Sequence, residues 1–185
     1  DNPESLMAAD LQGDGNDELI ADMGSLGLWM WNDGAWASLN AGNPEIISAA
    51  DMDGDGGAEV LADFGATGLW IWNGGAWSIL SSEDAESLTC DDLDGDAAAE
   101  AAVDFGPLGL WVWNGGAWSQ ISGANADFVL AANIEDGGPP ELVVDFGPVG
   151  VWFWENGPWF QLSSANVDHL EGIWLAGIAD EEFVG

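Results

Sequence analysis

The sequence predicts an all-β fold of tandem 41-residue repeats, each a four-stranded antiparallel sheet, arranged as a four-bladed β-propeller with an extra C-terminal half-repeat. Three observations predict it. Trp29, Trp70, Trp111 and Trp152 are spaced by 41, as are Trp31, Trp72, Trp113 and Trp154, and Trp36, Trp77, Trp118 and Trp159, so 12 of the 13 tryptophans obey one period. Glu18, Glu59, Glu100 and Glu141 keep the same spacing, as do Asp22, Asp63, Asp104 and Asp145, with no insertion or deletion across four copies. No segment carries a useful helical periodicity, whereas short apolar runs alternate with glycine-rich turns. A fixed period of this length is the mark of small supersecondary units that bury their faces by stacking on their neighbours.

The second copy shows the elements in order. Glu45 to Ala50 is the first strand-like run, followed by an acidic loop from Asp51 to Glu59. Val60 to Phe64 is the second run, Gly68 to Asn73 the third and Ala76 to Leu80 the fourth. Gly65-Ala66-Thr67-Gly68 and Asn73-Gly74-Gly75 are turn signals, the latter tight enough for a hairpin. In the third run Trp70 and Trp72 point one way and Leu69 and Ile71 the other. A strand apolar on both faces needs cover on both, which sheets stacked face to face provide. An open stack of the same sheets is the runner-up arrangement, and a five-bladed ring short of half a blade comes third. The first 164 residues make four copies; the stretch 165–185 repeats the first half of a copy without its acidic loop, Trp174 and Ile178 replacing Asp51 and Asp55.

Composition narrows the function. The chain has 34 acidic residues, no Lys or Arg, one His, and a formal net charge of −34, yet 48% of it is hydrophobic. Such a chain is no disordered acidic tail, but self-repulsion opposes its compaction unless salt or bound cations offset it. Nucleic acid is excluded as a partner, because nothing here replaces phosphate counterions. Membrane insertion is not expected, since no apolar run nears the length of about twenty residues that a spanning helix needs. The single Cys90 has Ala8, Ala49 and Ala131 at equivalent positions, which reads as a small buried slot. A start at Asp1 without Met suggests a secreted protein whose signal peptide has been removed, in an extracellular or cell-surface setting.

The acidic loops are the candidate metal sites. In the second copy Asp51, Asp53, Asp55 and Glu59 alternate with glycines, and the Gly57 carbonyl falls at the seventh position. The third copy repeats this with Asp92, Asp94, Asp96, the Ala98 carbonyl and Glu100. The first is one charge weaker, with Asp10, Gln12, Asp14, the Asn16 carbonyl and Glu18. The fourth is degraded to Asn133, Glu135, Gly137 and Glu141, with Pro139 at the carbonyl position. Oxygen donors with several carboxylates suit calcium, whereas zinc wants His or Cys. Two to four Ca2+ ions per chain are expected.

These loops, followed by a short strand ending in Phe64-Gly65, Phe105-Gly106 or Phe146-Gly147 (Met23-Gly24 in the first copy), resemble the FG-GAP or VCBS repeats of calcium-binding β-propellers. The resemblance implies four-stranded blades with calcium in the loop joining the first two strands, and no single activity. This chain departs from the pattern in its shorter repeat, in Glu at the ninth loop position, and in the GLWxWN run that follows.

The remaining residues point away from catalysis. The lone His169 beside Asp168 lacks a nucleophile elbow, so no enzyme is expected. Asp22, Asp63, Asp104 and Asp145 read as turn caps, with a shared cation site as the sharper alternative. Two tryptophans per copy are expected in the core, with Trp36, Trp77, Trp118 and Trp159 nearer the surface. The function expected is an extracellular, calcium-stabilised structural protein assembling head-to-tail, through strand exchange by residues 166–185, into filaments or a surface layer. Freedom from Lys and Arg also removes trypsin-type cleavage sites. The alternative is a lectin-like module that recognises carbohydrate or another ligand.

Overall fold

The structure, a computed structural model, describes residues 2–135 and 137–165. These form four antiparallel sheets of four strands, each in chain order from one edge to the other. The first sheet holds β1 (Ser5–Ala9), β2 (Glu18–Asp22), β3 (Leu28–Asn32) and β4 (Ala35–Asn40). The second holds β5 (Ile46–Ala50), β6 (Glu59–Asp63), β7 (Leu69–Asn73) and β8 (Ala76–Ser81). The third holds β9 (Ser87–Asp91), β10 (Glu100–Asp104), β11 (Leu110–Asn114) and β12 (Ala117–Ser122). The fourth holds β13 (Phe128–Ala132), β14 (Glu141–Asp145), β15 (Val151–Trp154) and β16 (Trp159–Ser163). Strand bounds in the second copy fall within one residue of those expected from turn residues and alternation. None of the described helices is long and apolar enough to cross a membrane.

The FGxxG segment folds as one 3-10 turn, Gly65–Thr67 in the second sheet. Gly68 closes it at φ 86°, its N–H donating to the Gly65 carbonyl. A Cβ here would run into the Ser81 carbonyl, so the position admits glycine for space as well as for conformation.

Alternation along each strand assigns residues to two faces. Ile20, Leu28, Met30 and Leu39 of the first sheet pack against Ile47, Val60, Ala62, Phe64, Trp72 and Trp77 of the second. The same layer recurs between the second and third sheets, around Leu61, Leu69, Ile71, Ala101 and Val103, and between the third and fourth, around Ala102, Leu110, Val112, Leu142 and Val144. The second and third sheets therefore each have a trailing face, which the successor covers, and a leading face, which lies on the predecessor. This is the face-to-face stacking that the doubly apolar strands demanded.

The first strands touch in chain order, β1 to β5 to β9 to β13, and among the described strands no comparable contact joins β13 back to β1. The four sheets thus follow one another without closing on themselves, an arrangement nearer the open stack than the closed ring of four. The tail expected at 165–185, and the strand exchange expected of residues 166–185, lie outside the described residues, apart from Ala165.

The third tryptophan is exposed as expected in the first copy, at Trp36, but not in the later copies. Trp77 and Trp118 are half-buried between sheets, and their indole N–H groups donate to the preceding sheet at Leu39 O (2.9 Å) and Leu80 O (3.2 Å). Phe64 and Phe105 meet them edge-on at centroid distances of 5.9 and 5.4 Å. The tryptophan anchors one sheet to the next because its N–H needs a partner when buried, and the ragged end of the neighbouring strand supplies a carbonyl.

Candidate metal loops and the junctions between sheets

Each acidic loop joins the first two strands of its sheet, at the end where β1, β5, β9 and β13 finish. In the second loop both oxygens of Asp51 turn inward onto backbone N–H groups. Oδ1 accepts from Gly54 at 2.7 Å and Asp55 at 3.2 Å, and Oδ2 from Gly56 at 2.8 Å. Asp53 accepts from the Asp55 N–H, and Asp55 from the Gly57 N–H. Glu59 is buried, and its Oε2 accepts the Met52 N–H at 2.8 Å. These bonds wind the loop so that oxygens of Asp51, Asp53 and Glu59 lie within 4.8 Å of one another.

The third loop has the same wiring, with Asp92 accepting from Gly95, Asp96 and Ala97, and Glu100 from Leu93. Here the converging trio is Asp92, Asp94 and Asp96. The first loop keeps the scaffold: Asp10 accepts from Gly15 at 2.7 Å, and buried Glu18 accepts from Leu11. Asp14 is engaged by the Asn16 side chain and backbone, and Gln12 adds no carboxylate. In the fourth loop Glu141 still accepts from Ile134, while the Asn133 amide reaches the Gly138 carbonyl. Among the described residues, metal-capable loop clusters thus occur in the second and third copies, the two with a full acidic set.

The donor set fits a hard divalent cation. It is all oxygen, mostly carboxylate, and its remaining lone pairs converge after the backbone bonds are made. Electrostatics agree. Desolvation by burial pushes Glu59 up to about 7, helped by Asp53, Asp55 and Asp51, while the Met52 N–H pulls the other way. Glu100 is likewise pushed up to about 7 by burial, with Asp94, Asp96 and Asp92 adding to it. A cation in the loop would relieve that repulsion directly.

Two features of the site go beyond the sequence reading. The Asn73 amide donates to Asp53 Oδ2 at 2.9 Å, and Asn114 to Asp94 Oδ2 at 2.9 Å, so the asparagine ending GLWxWN steadies the second carboxylate. The signal was present: Asn32, Asn73 and Asn114 recur, and Glu155 replaces them in the copy with the degraded loop. The loops are also linked between sheets, Ala58 N–H donating to Asp10 O and Ala99 N–H to Asp51 O, both at 2.7 Å.

At the opposite end of the strands, Asp22, Asp63 and Asp145 accept the N–H of Gly24, Gly65 and Gly147 at 2.9 Å, as expected of turn caps. They do not share one site; each meets its own junction. The Asn43 amide, oriented to satisfy its surroundings, donates to Gly24 O and Asp22 Oδ1, and Asn125 to Gly106 O, Asp104 Oδ2 and Glu86 Oε2. In the middle junction this asparagine is Asp84, and Glu45, Asp63 and Asp84 converge within 4.8 Å. Burial first, then Asp84 and Glu45, pushes Asp63 up to about 6, against the pull of the Gly65 and Ala85 N–H groups. Cys90 packs half-buried on the second interface, its thiol pushed up to about 12 by desolvation, in keeping with a structural slot.

Beside these junctions lie aromatic cavities. One of about 410 Å³ is lined by Phe64, Thr67, Trp70 and Trp77 with Asn40 and Asn43 from the preceding connection. Its counterpart one sheet on, of about 480 Å³, has Phe105, Leu108, Trp111, Trp118 and Gln120, with Glu83.

No family model matches the chain, and no curated protein sequence matches it. Solved structures do. A complex of BBS1N with ARL6DN superposes with a TM-score of 0.62 at 14% identity, over 87% of this chain and 53% of that one. An Agrocybe aegerita lectin that recognises non-reducing terminal N-acetylglucosamine gives 0.59 at 17% identity, over 86% of this chain and 52% of that one. The V. cholerae biofilm matrix protein Bap1 gives 0.52 at 26% identity, over 84% of this chain and 27% of that one. The likeness is one of β-propeller-like fold, and the chain spans about half the length of the first two structures or less.

Proposed function

We infer that this chain is a non-catalytic, calcium-stabilised structural protein of an extracellular matrix or cell surface, its four sheets acting as blades of a β-propeller that self-associates head-to-tail. The observation that carries this reading is the convergence of Asp51, Asp53 and Glu59, and of Asp92, Asp94 and Asp96, in a chain of net charge −34 with no Lys or Arg. No side chain of the protein is a fixed cation, so a bound metal is the means of neutralising these loops at neutral pH. Calcium would lock each loop, and through Ala58–Asp10 and Ala99–Asp51 would stiffen the stack as a whole. It would also lower the repulsion that opposes assembly of so acidic a subunit. Likeness to a biofilm matrix protein supports the matrix setting.

The test is thermal melting and negative-stain imaging of the purified chain with calcium and with chelator. Calcium should raise the melting temperature and favour assemblies, and Asp53→Asn with Asp94→Asn should remove most of that gain. A melting temperature indifferent to calcium would reject the metal assignment.

A second reading, recognition of glycans, is favoured by the recurrent aromatic cavities, which Trp70 lines together with Asn43, and Trp111 together with Glu83 and Gln120. Titration with N-acetylglucosamine and other simple sugars, read by tryptophan fluorescence in wild type and Trp111→Ala, tests it.

A further inference from the structure

The aromatic cavity of the third sheet is furnished differently from its counterparts. Phe105, Leu108, Trp111 and Trp118 line it, and Glu83 and Gln120 give it a polar edge. The Trp111 indole N–H donates to the Leu108 carbonyl at 2.9 Å, and Gln120 Nε2 donates to the same oxygen at 2.9 Å. The Trp118 indole N–H is spent across the junction on Leu80 O at 3.2 Å. With these donors satisfied inside the protein, the two tryptophans have only ring surface left for a ligand, and the Glu83 side chain has only oxygen. The Glu83 backbone N–H donates to Ser81 Oγ at 3.1 Å, which ties the exposed acid to the cavity wall. This acid is peculiar to the third cavity: Gly42 and Ala124 stand at its place in the neighbouring copies, and Ile79 replaces Gln120 in the second. The second cavity, with Asn40 and Asn43, has no charged residue in its lining, nor has the one beside Trp36.

The lining selects among ligand classes. A net charge of −34 turns anions away. A hard metal ion wants several oxygen ligands, and one carboxylate among aromatic rings does not supply them. A sugar wants donors as well as acceptors, and the indole donors here are spent. A cation sheathed in alkyl groups gains from aromatic rings and from a lone carboxylate together, most of all from tryptophan. The chain has no Lys or Arg of its own to fill such a place. We propose that the third-sheet cavity binds a quaternary ammonium group, with Trp111 and Trp118 against its methyl groups and Glu83 balancing its charge. At about 480 Å³ the space is that of a small-molecule site. The proposal is independent of calcium binding and self-association, and it gives this cavity a ligand other than a glycan.

Choline is titrated into the full chain in calcium, with ionic strength held constant by sodium chloride, and binding is read by tryptophan fluorescence and calorimetry. Its neutral isostere, with carbon in place of the ammonium nitrogen, and N-acetylglucosamine are titrated alongside. Choline should bind saturably, and the isostere much more weakly. Glu83→Gln, at an exposed position, should weaken choline binding about threefold, as loss of one exposed charge partner does. Trp111→Leu keeps the cavity apolar and should weaken binding about tenfold, whereas Trp70→Leu in the second cavity should leave it unchanged. Each variant is first checked for wild-type circular dichroism. An isostere that binds as tightly as choline would overturn the proposal by showing a merely apolar cavity. N-acetylglucosamine binding without choline binding would overturn it in favour of the glycan reading. A choline response no larger than that of sodium, or one that survives both Glu83→Gln and Trp111→Leu, would reduce it to general attraction to a polyanion. A short peptide carrying trimethyl-lysine separates two sources of the same group: tighter binding than choline supports the proposal with a protein side chain as ligand, and weaker binding supports it with a free small cation.

Discussion

Glu59 and Glu100 show how a single residue ties the fold to the site. Each is buried at the first position of its strand, and each spends one oxygen on a backbone N–H that holds the loop's shape. The ninth loop position is therefore a structural hinge as much as a ligand, which is why Glu18 and Glu141 persist where the other acids fade. The cost is electrostatic. Burial pushes Glu59 and Glu100 up to about 7, and Asp63 and Asp104 up to about 6, above the 4.5 and 3.8 of free Glu and Asp. A carboxyl whose pKa is raised on folding binds more protons folded than unfolded between the two values, so stability falls as pH rises through that window. The metal-free protein should thus melt at a higher temperature near pH 5 than near pH 7.5, with the loss spread between about 4 and 7. Calcium should flatten the upper part of the profile, which belongs to the loops, and leave the part belonging to Asp63. Asp84→Asn installs the amide found at Asn43 and Asn125, and should reduce that remaining slope and raise the metal-free melting temperature. Melting curves across pH in chelator and in calcium check both arms; a metal-free protein most stable at pH 7.5 would contradict them.

At the scale of the element, the strands were legible because their signals are local. Alternation of Trp70 and Trp72 with Leu69 and Ile71 fixes a strand and its two covered faces, and FGxxG and NGG fix its ends. What was not legible is what each side chain meets across a junction, since that depends on how far one sheet is rotated on the next. Trp77 and Trp118 were misplaced for that reason, though Trp36 was not: nothing near Trp77 in the sequence announces the Leu39 carbonyl 38 residues earlier. The turn glycines make the sharpest test of an element. Gly68 combines a φ of 86° with a Ser81 carbonyl where a Cβ would stand. Gly68→Ala should destabilise by more than the ~1 kcal/mol that backbone strain alone costs, because the carbonyl belongs to a strand end with nowhere to retreat. Gly74→Ala, at φ 53° in the open hairpin tip with nothing within 4 Å, should cost only the strain. Urea denaturation of the pair reads the difference, and equal losses would show that the close approach does not matter.

For the whole molecule, the number and size of the sheets were written in the spacing of 41, but the way the stack ends was not. A repeat sequence describes each junction identically and says nothing about whether the last face returns to the first. The exposure of Trp31 and Trp36 on the first sheet bears on that, and it exists only in three dimensions. Charge, by contrast, is a property of the whole that the composition states outright. With 34 acids and no Lys or Arg, almost every pair of side-chain charges repels, and no internal rearrangement converts repulsion to attraction. At low ionic strength that repulsion acts across the entire stack; at 0.1 M salt the Debye length is about 10 Å, so only charges within one sheet or loop still interact. The metal-free protein should therefore gain stability steadily as sodium chloride rises from about 10 mM to a few hundred millimolar, a range over which screening of exposed charges becomes nearly complete. Calcium should exceed sodium at matched ionic strength, because it enters the converging oxygens of the second and third loops rather than the surrounding atmosphere. Melting temperatures in chelated sodium chloride, and in calcium chloride at equal ionic strength, separate the two effects. Identical gains would mean that calcium acts here as an ordinary screening ion. A gain specific to calcium that disappears in Asp53→Asn with Asp94→Asn, while the sodium response remains, would locate the specific part in the loops and the rest in the net charge.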